Sequence, residues 1–247
     1  SSTYLNCEEN SLSYGQFIET ISARMQQLAA HNIKQGDIVF ANADNLSFWG
    51  DLIAIWAYGA IAAPIENGIS EQKLRFQIEK VSPTLLLSNT ISTELCPVVT
   101  NAKLQAGENK IRIVEKNPDD IAAIYFTSGS TGKPKAAALT HAGILGNARA
   151  TLGAVKLSKQ DHLCIATPFH FTSAICHFLS SILSCAQFTC TLKKLFYADL
   201  YNYVCTSKAN TFGGSPVQFN WLSQCLTGNE KINWMMSSGD HLSTKII

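Results

Sequence analysis

Ile121-Ala122-Ala123-Ile124-Tyr125-Phe126-Thr127-Ser128-Gly129-Ser130-Thr131-Gly132-Lys133-Pro134-Lys135-Ala136-Ala137-Ala138-Leu139-Thr140 is the stretch from which the fold can be read. The apolar run 121–126 has the length and composition of a buried strand. Residues 136–139 predict a second strand, and Thr140 predicts the N-cap of a helix that runs through 147–150. Hydroxyls, two glycines and two lysines fill the intervening loop. Glycine lets the backbone approach closely enough for its N–H groups to face an anion. Ser and Thr add hydroxyl donors, and each lysine brings a point charge to phosphate oxygens. The same residue types form plain surface turns; the lysines on either side of Pro134 are what favour a polyphosphate grip. The spacing departs twice from the general loop G-x-x-x-x-G-K-[ST]. Thr127 replaces its first glycine, and Pro134 stands where a hydroxyl would hold magnesium. Because the loop joins strand to strand, no helix N-terminus lends it a field.

Helix and strand signals alternate on the N-terminal side. Residues 14–30 form an amphipathic pattern with Phe17, Ile21, Met25 and Leu28 on one stripe. Gly36-Asp37 turns into a strand at 38–41. Asn45 opens a helix carrying Leu52, Ile55 and Trp56, which ends at Gly59 before a strand at 60–64. Ser70 caps a third helix carrying Leu74 and Ile78, and 85–87 is a further strand. Residues 101–109 are polar and predict a surface loop. This alternation predicts an α/β fold, a layered and mainly parallel sheet with flanking helices. No internal repeat, low-complexity tract or linker-like shift in composition interrupts it.

The chain has 247 residues, a formal charge of +1 and scattered lysines and arginines. That pattern argues against nucleic acid or an anionic membrane as partner. Charged residues make up 15%, below the roughly 25% of an average domain. A Ser/Thr/Asn-rich surface, or one covered by protein beyond this chain, accounts for the difference. The eight cysteines form no C-x-x-C pair and have no histidine cluster beside them, which argues against zinc. They read as small buried hydrophobes and free thiols of a reducing compartment, so a cytoplasmic location is expected. Residues 52–64 are too short for a transmembrane span. Residues 171–190 are long enough but carry His177 and several hydroxyls, so they predict a buried helix.

Three further segments bear on function. Ala166-Thr167-Pro168-Phe169-His170-Phe171 follows a strand at 163–166, and His170 reads either as a satisfied core histidine or as a ligand contact. Thr211-Phe212-Gly213-Gly214-Ser215-Pro216 predicts a turn with Pro216 at the first helical position and Phe219 and Leu222 facing the core. Trp234-Met235-Met236-Ser237-Ser238-Gly239-Asp240-His241 reads as a strand, a tight turn and a helix start.

With its hydroxyl- and glycine-rich loop, residues 125–135 resemble the phosphate-binding signature of the adenylate-forming enzymes: acyl- and aryl-CoA ligases, peptide-synthetase adenylation domains and firefly-type luciferases. Ala136 departs from the family's usual glycine. Gly36-Asp37-Ile38-Val39 and Tyr58-Gly59-Ala60-Ile61-Ala62-Ala63-Pro64-Ile65 are similar to the family's opening elements. The resemblance covers almost all of the chain and implies the first half of a large N-terminal domain, with residues 1–247 a partial adenylation domain. The rest of that domain, and a small C-terminal domain of the same chain with its catalytic lysine, would be missing, leaving this part inactive alone. The implied activity is ATP-dependent activation of a carboxylic acid to an acyl-adenylate, then thioester formation with coenzyme A. Implied roles follow the motifs. Thr127, Ser128, Gly129, Ser130, Thr131, Gly132 and Lys133 would cradle the ATP phosphates, with Thr131 on the Mg2+ side and Lys135 neutralising the leaving pyrophosphate. Ser238 and Gly239 would form the adenine turn. His170 and Phe171 would line the acyl tunnel, His170 as its gate, and Gly213, Gly214 and Ser215 its wall. No acid lies between Asp161 and Asp199, where the amino-acid-activating branch holds a substrate amine, so a plain carboxylic acid is expected. A non-catalytic nucleotide- or acyl-binding relative and a luciferase-like oxygenase remain alternatives.

Overall fold

The structure, a computed structural model, describes residues 3–100, 113–127, 135–227 and 231–239. In chain order the elements begin β1 (Thr3–Cys7), β2 (Asn10–Ser13), α1 (Tyr14–Ala30), β3 (Ile38–Asn42), α2 (Phe48–Tyr58) and β4 (Ile61–Ile65). They continue α3 (Glu71–Val81), β5 (Leu85–Leu87), β6 (Val98–Val99), β7 (Ile121–Thr127), β8 (Lys135–Thr140) and α4 (His141–Val155). The last are β9 (His162–Ile165), α5 (Thr172–Ser184), β10 (Gln187–Cys190), α6 (Tyr197–Ser207), β11 (Thr211–Gly214), α7 (Pro216–Ser223) and β12 (Trp234–Ser237). The architecture is α/β as expected, but the strands build two six-stranded, mostly parallel sheets rather than one. The chain divides into two compact units, Gly15–Ile144 and Ser1–Tyr14 with Leu145–Ile247.

In the unit Gly15–Ile144 the strand order is β6-β5-β3-β4-β7-β8. All neighbours are parallel except the β7–β8 hairpin. Punctuating residues set the elements. Gly59 ends α2 in the left-handed conformation (φ 99°), donating its N–H back to the Ile55 and Trp56 carbonyls, where a side chain would be strained. Ser70 accepts from the Lys73 amide at the start of α3. Thr140 Oγ1 accepts from the Gly143 amide at 3.1 Å and starts α4. Asn45 does not open α2: its side chain accepts from the Ser47 amide at 2.8 Å, forming a turn ahead of a helix that begins at Phe48. Phe40, Ile65, Leu74, Ile78 and Leu86 share the core. Under α1 and α2 lies a buried ion pair, Arg24 Nε to Asp51 Oδ1 at 2.7 Å, with side chains 1% and 4% exposed. Burial pushes the Asp51 carboxyl up to about 6 against the pull of Arg24.

The other unit carries the sheet β12-β11-β9-β10-β1-β2, parallel except for β1–β2. Its core includes Cys164, Leu200, Val204, Phe212, Phe219 and Leu222. Ser215 and Gln218 form a reciprocal capping box with Pro216 at the first helical position, so α7 starts where the sequence predicts. The buried helix predicted for 171–190 stops early. Cys185 adopts the left-handed conformation (φ 58°), its amide returns to the Ser181 and Ile182 carbonyls, and Gln187–Cys190 becomes β10 in the middle of the sheet. A strand buried on both faces is as uniformly apolar as a buried helix, so composition alone could not place that break. Cys7, Cys96, Cys164 and Cys190 are buried as the composition suggested, whereas Cys185 and Cys205 are exposed.

Candidate active site

The phosphate-loop candidate sits on the β7–β8 hairpin. Strand β7 is buried through Tyr125 and emerges at Thr127. Lys135 opens β8 directly opposite Thr127 in the antiparallel register, so these two residues form the foot of the loop. Directly opposed residues of such a pair lie about 4.5–5.5 Å apart at Cα. Ser128, Gly129, Ser130, Thr131, Gly132 and Lys133 lie outside the described residues.

The carboxyl ends of the neighbouring strands are also polar. Helix α2 carries the chain from β3 to β4, and α3 returns it past β3 to β5. The strand order therefore reverses between β3 and β4, the kind of place where open α/β sheets bind ligands. Here Asp44 Oδ2 accepts from Asn42 Nδ2 (3.0 Å), Ser88 Oγ (3.0 Å), the Asn89 amide (2.9 Å) and Thr90 Oγ1 (3.1 Å). Asn42 is 1% exposed and its Oδ1 has no partner. Nothing in the sequence pattern announces this network, whose members, Asn42 and Asp44 on one side and Ser88 to Thr90 on the other, lie more than forty positions apart.

The second sheet has a reversal of its own. Helix α5 takes β9 to β10, and α6 then crosses back so that β11 lies on the other side of β9. The reversal falls between β9 and β11, where Gly213 pairs with Ile165, and such a switch point is where open α/β sheets bind ligands. Most of the predicted substrate residues are here. Gly213 and Gly214 end β11 and are buried, Ser215 follows as the α7 cap, and the Gln218 side-chain amide donates to the Ala166 carbonyl at 3.0 Å, tying the start of α7 to the end of β9. Both glycines are sterically required. A Cβ on Gly213 would sit 2.7 Å from His177 Cε1 and Nδ1, and one on Gly214 would sit 2.7 Å from the Phe212 ring.

His170 and Phe171 follow β9 in the turn leading into α5, with ring centroids 4.4 Å apart. Phe171 is 50% exposed while His170 is half-buried, so the phenyl ring is the more open of the two. On the far side of β11, Ser238 donates its amide to the Gly214 carbonyl at 3.0 Å. Gly239 next to it has φ 100° and open space where a Cβ would project. A left-handed glycine with a free face is the backbone that close approach of a flat ligand requires.

Two residues of this edge were not singled out as site residues. Thr167 is buried and its Oγ1 lacks a partner; His177, on α5, is 4% exposed and its Nδ1 lacks one too. Burial pushes the His177 imidazole down to about 4, so the ring is neutral. Ser238 Oγ is the third buried, unpartnered polar atom at these strand ends.

The model of the family described as AMP-binding enzyme matches residues 2–247. The chain belongs to the AMP-binding enzyme family. Among curated relatives, a hybrid polyketide–peptide synthetase, pvhA of Talaromyces variabilis, is 24% identical over 70% of this chain and 4% of its own length. Tyrocidine synthase 3 of Brevibacillus parabrevis is 29% identical over 56% of this chain and 2% of its own. Among solved structures, VinN superposes with a TM-score of 0.84 at 19% identity, over all of this chain and 66% of that one. ATP-bound MatB from Rhodopseudomonas palustris gives 0.84 at 18% over 99% and 53%. O-succinylbenzoate coenzyme A synthetase of Bacillus subtilis, solved with AMP, gives 0.85 at 19% over 99% and 52%. The chain thus spans a few per cent of the multi-domain synthetases and between half and two thirds of these structures.

Proposed function

We propose that this AMP-binding enzyme, in its complete form, activates a carboxylic acid with ATP and passes the acyl group to the thiol of coenzyme A. The carboxylate oxygen attacks the α-phosphorus, the bond to the β-phosphate oxygen breaks, and pyrophosphate leaves with an acyl-adenylate remaining. The thiolate then displaces AMP from the acyl carbon. No protein nucleophile is needed, so the residues act by positioning and by charge stabilisation. Thr127, Ser128, Gly129, Ser130, Thr131, Gly132 and Lys133 would hold the β- and γ-phosphates, and Lys135 at the foot of the hairpin would meet the charge growing on pyrophosphate. Ser238 and Gly239 would form the adenine turn, while His170, Phe171, Gly213, Gly214 and Ser215 would border the acid. A magnesium ion would screen the phosphates, with Thr131 as its nearest hydroxyl. Among the described residues, no three or more His, Cys, Asp or Glu side chains gather into a group that could hold a metal ion.

The observation that carries the proposal is the β7–β8 hairpin, closed by Thr127 opposite Lys135 at the carboxyl edge of a parallel sheet. The absence of an acid between Asp161 and Asp199 supports a plain carboxylic acid over an amino acid. In this proposal the remainder of the large domain and a small lysine-bearing domain complete the enzyme, and residues 1–247 alone give no ligase turnover. ATP–pyrophosphate exchange by the complete gene product, with short, medium, long and aromatic acids, tests it. Exchange with one class is expected; ATP binding without exchange for any acid would overturn it.

A further inference from the structure

The carboxyl ends of β9, β11 and β12 combine two features. They carry buried polar atoms without partners, and the described segments that form them carry no charged side chain. Thr167 Oγ1, His177 Nδ1 and Ser238 Oγ are each inaccessible to solvent and unbonded. Leaving a buried hydrogen-bonding atom unpaired costs stability, so each such group calls for an explanation such as a partner supplied on binding. His177 is the most informative of the three. It projects from α5 towards β11, and the strand makes room for it with glycine: a Cβ at position 213 would lie 2.7 Å from two atoms of the ring and 3.2 Å from Ile165.

The surrounding charge is as telling. Residues 162–182, 209–227 and 232–239, which supply the strand ends and the helices that follow them, contain no Asp, Glu, Lys or Arg. An ammonium or a second carboxylate buried here would have no counter-charge on these segments, and isolated charges are expelled from such places. A wholly saturated tail would be tolerated, but it would leave the imidazole unbonded.

We infer that His177 is a specificity-determining residue which hydrogen-bonds an uncharged hydroxyl on the tail of the acid, and that the preferred substrates are hydroxylated monocarboxylic acids rather than fatty acids, dicarboxylic acids or amino acids. A hydroxyl both donates and accepts, so it satisfies either tautomer of a neutral ring. The depressed basicity of His177 agrees with the neutral form. This inference rests on the proposed adenylation, and its test separates the two. Matched acids differing by one hydroxyl, 3-phenylpropanoate with 3-(4-hydroxyphenyl)propanoate and hexanoate with 6-hydroxyhexanoate, are compared in ATP–pyrophosphate exchange by the complete gene product, alongside succinate and phenylalanine. The hydroxylated member of at least one pair should be favoured about tenfold or more in kcat/KM. His177→Leu should bring that ratio close to one with KM for ATP unchanged. His177→Gln, which keeps a hydrogen-bonding group, should retain part of the preference. Because His177→Leu removes an orphaned polar group, its melting temperature should not fall. Equal use of both members of each pair, or preference for succinate or phenylalanine, overturns the inference while leaving adenylation standing. A wild-type hydroxyl preference unchanged in His177→Leu overturns the role of His177. No exchange with any acid removes the adenylation proposal and this inference with it.

Discussion

Removing Asp51 should strand a charge that has no means of discharging. Arg24 and Asp51 meet at 2.7 Å with almost no solvent contact, and Arg24 has a second acceptor in Gln27 Oε1 at 2.5 Å. Guanidinium does not lose its proton in proteins, so Asp51→Leu leaves it buried and under-bonded. Breaking a buried pair in this way costs about 3–5 kcal/mol, or very roughly 6–20 °C in melting temperature for a chain of this size. The opposite change is gentler and depends on pH. In Arg24→Met the carboxyl, already pushed up to about 6 by burial, loses its counter-charge and rises further. A raised folded-state pKa gives stability that is present below the unfolded value and lost as pH rises through the folded one. Arg24→Met should therefore be mild near pH 5 and worsen towards pH 8, by up to about 1.4 kcal/mol per pH unit, whereas the Asp51→Leu loss should shrink slightly over that range, because wild type alone loses stability as Asp51 titrates near 6. The double variant Arg24→Met/Asp51→Leu should recover most of the loss. Urea unfolding at pH 5 and pH 8 measures all three. A loss under 1 kcal/mol for Asp51→Leu, or an Arg24→Met loss equal at both pH values, would refute the reasoning.

Lys135→Ala should lower the rate of adenylation by about 10²–10³, the usual loss when one aligned charge-stabilising donor is removed. Its melting temperature should be unchanged because the residue is exposed; intact ATP–pyrophosphate exchange would exclude the role given to it. Gly213→Ala should destabilise by about 1–3 kcal/mol through overpacking against the His177 ring, visible as an earlier urea midpoint. Gly239→Ala meets no neighbouring atom but holds φ at 100°, so it should cost only the backbone strain of about 1–2 kcal/mol, with a weaker affinity for AMP measured by calorimetry. Burial holds both His162 and His177 down to about 4. Their contribution is complete above the unfolded value near 6.5 and is lost as pH falls towards 4, opposite in sense to Asp51. His162→Gln/His177→Leu should flatten the acid limb of the stability–pH curve relative to wild type.

Much of the Gly15–Ile144 sheet was legible because its elements end on residues with a single local meaning. Gly59 in the left-handed region, Ser70 and Thr140 as caps, and the apolar run before Thr127 all act within a few positions of themselves. Strands β1 and β2 were not read, since β1 gains its place by pairing with β10 some 180 positions away and has little periodicity of its own. The split into two sheets was missed for the same reason: it depends on which strands pair, while the helix–strand alternation is identical for one sheet or two. The candidate site divides along similar lines. The hairpin loop and the glycines at 213 and 214 announce themselves by composition. The Asp44 network and His177 do not, because Asp44 becomes a cradle only when Ser88 and Thr90 reach it, and His177 becomes conspicuous only when Gly213 lies beneath it.

Gly213 and His177 share one small volume, divided unequally between a strand and a helix. Enlarging either position without shrinking the other costs stability, so the packing of this seam is set jointly by two codons. A lineage that shifts bulk from one to the other would reshape this seam while every strand keeps its register. Under the proposed function, the seam between α5 and β11 is where a paired exchange of bulk would alter the outline offered to the acid.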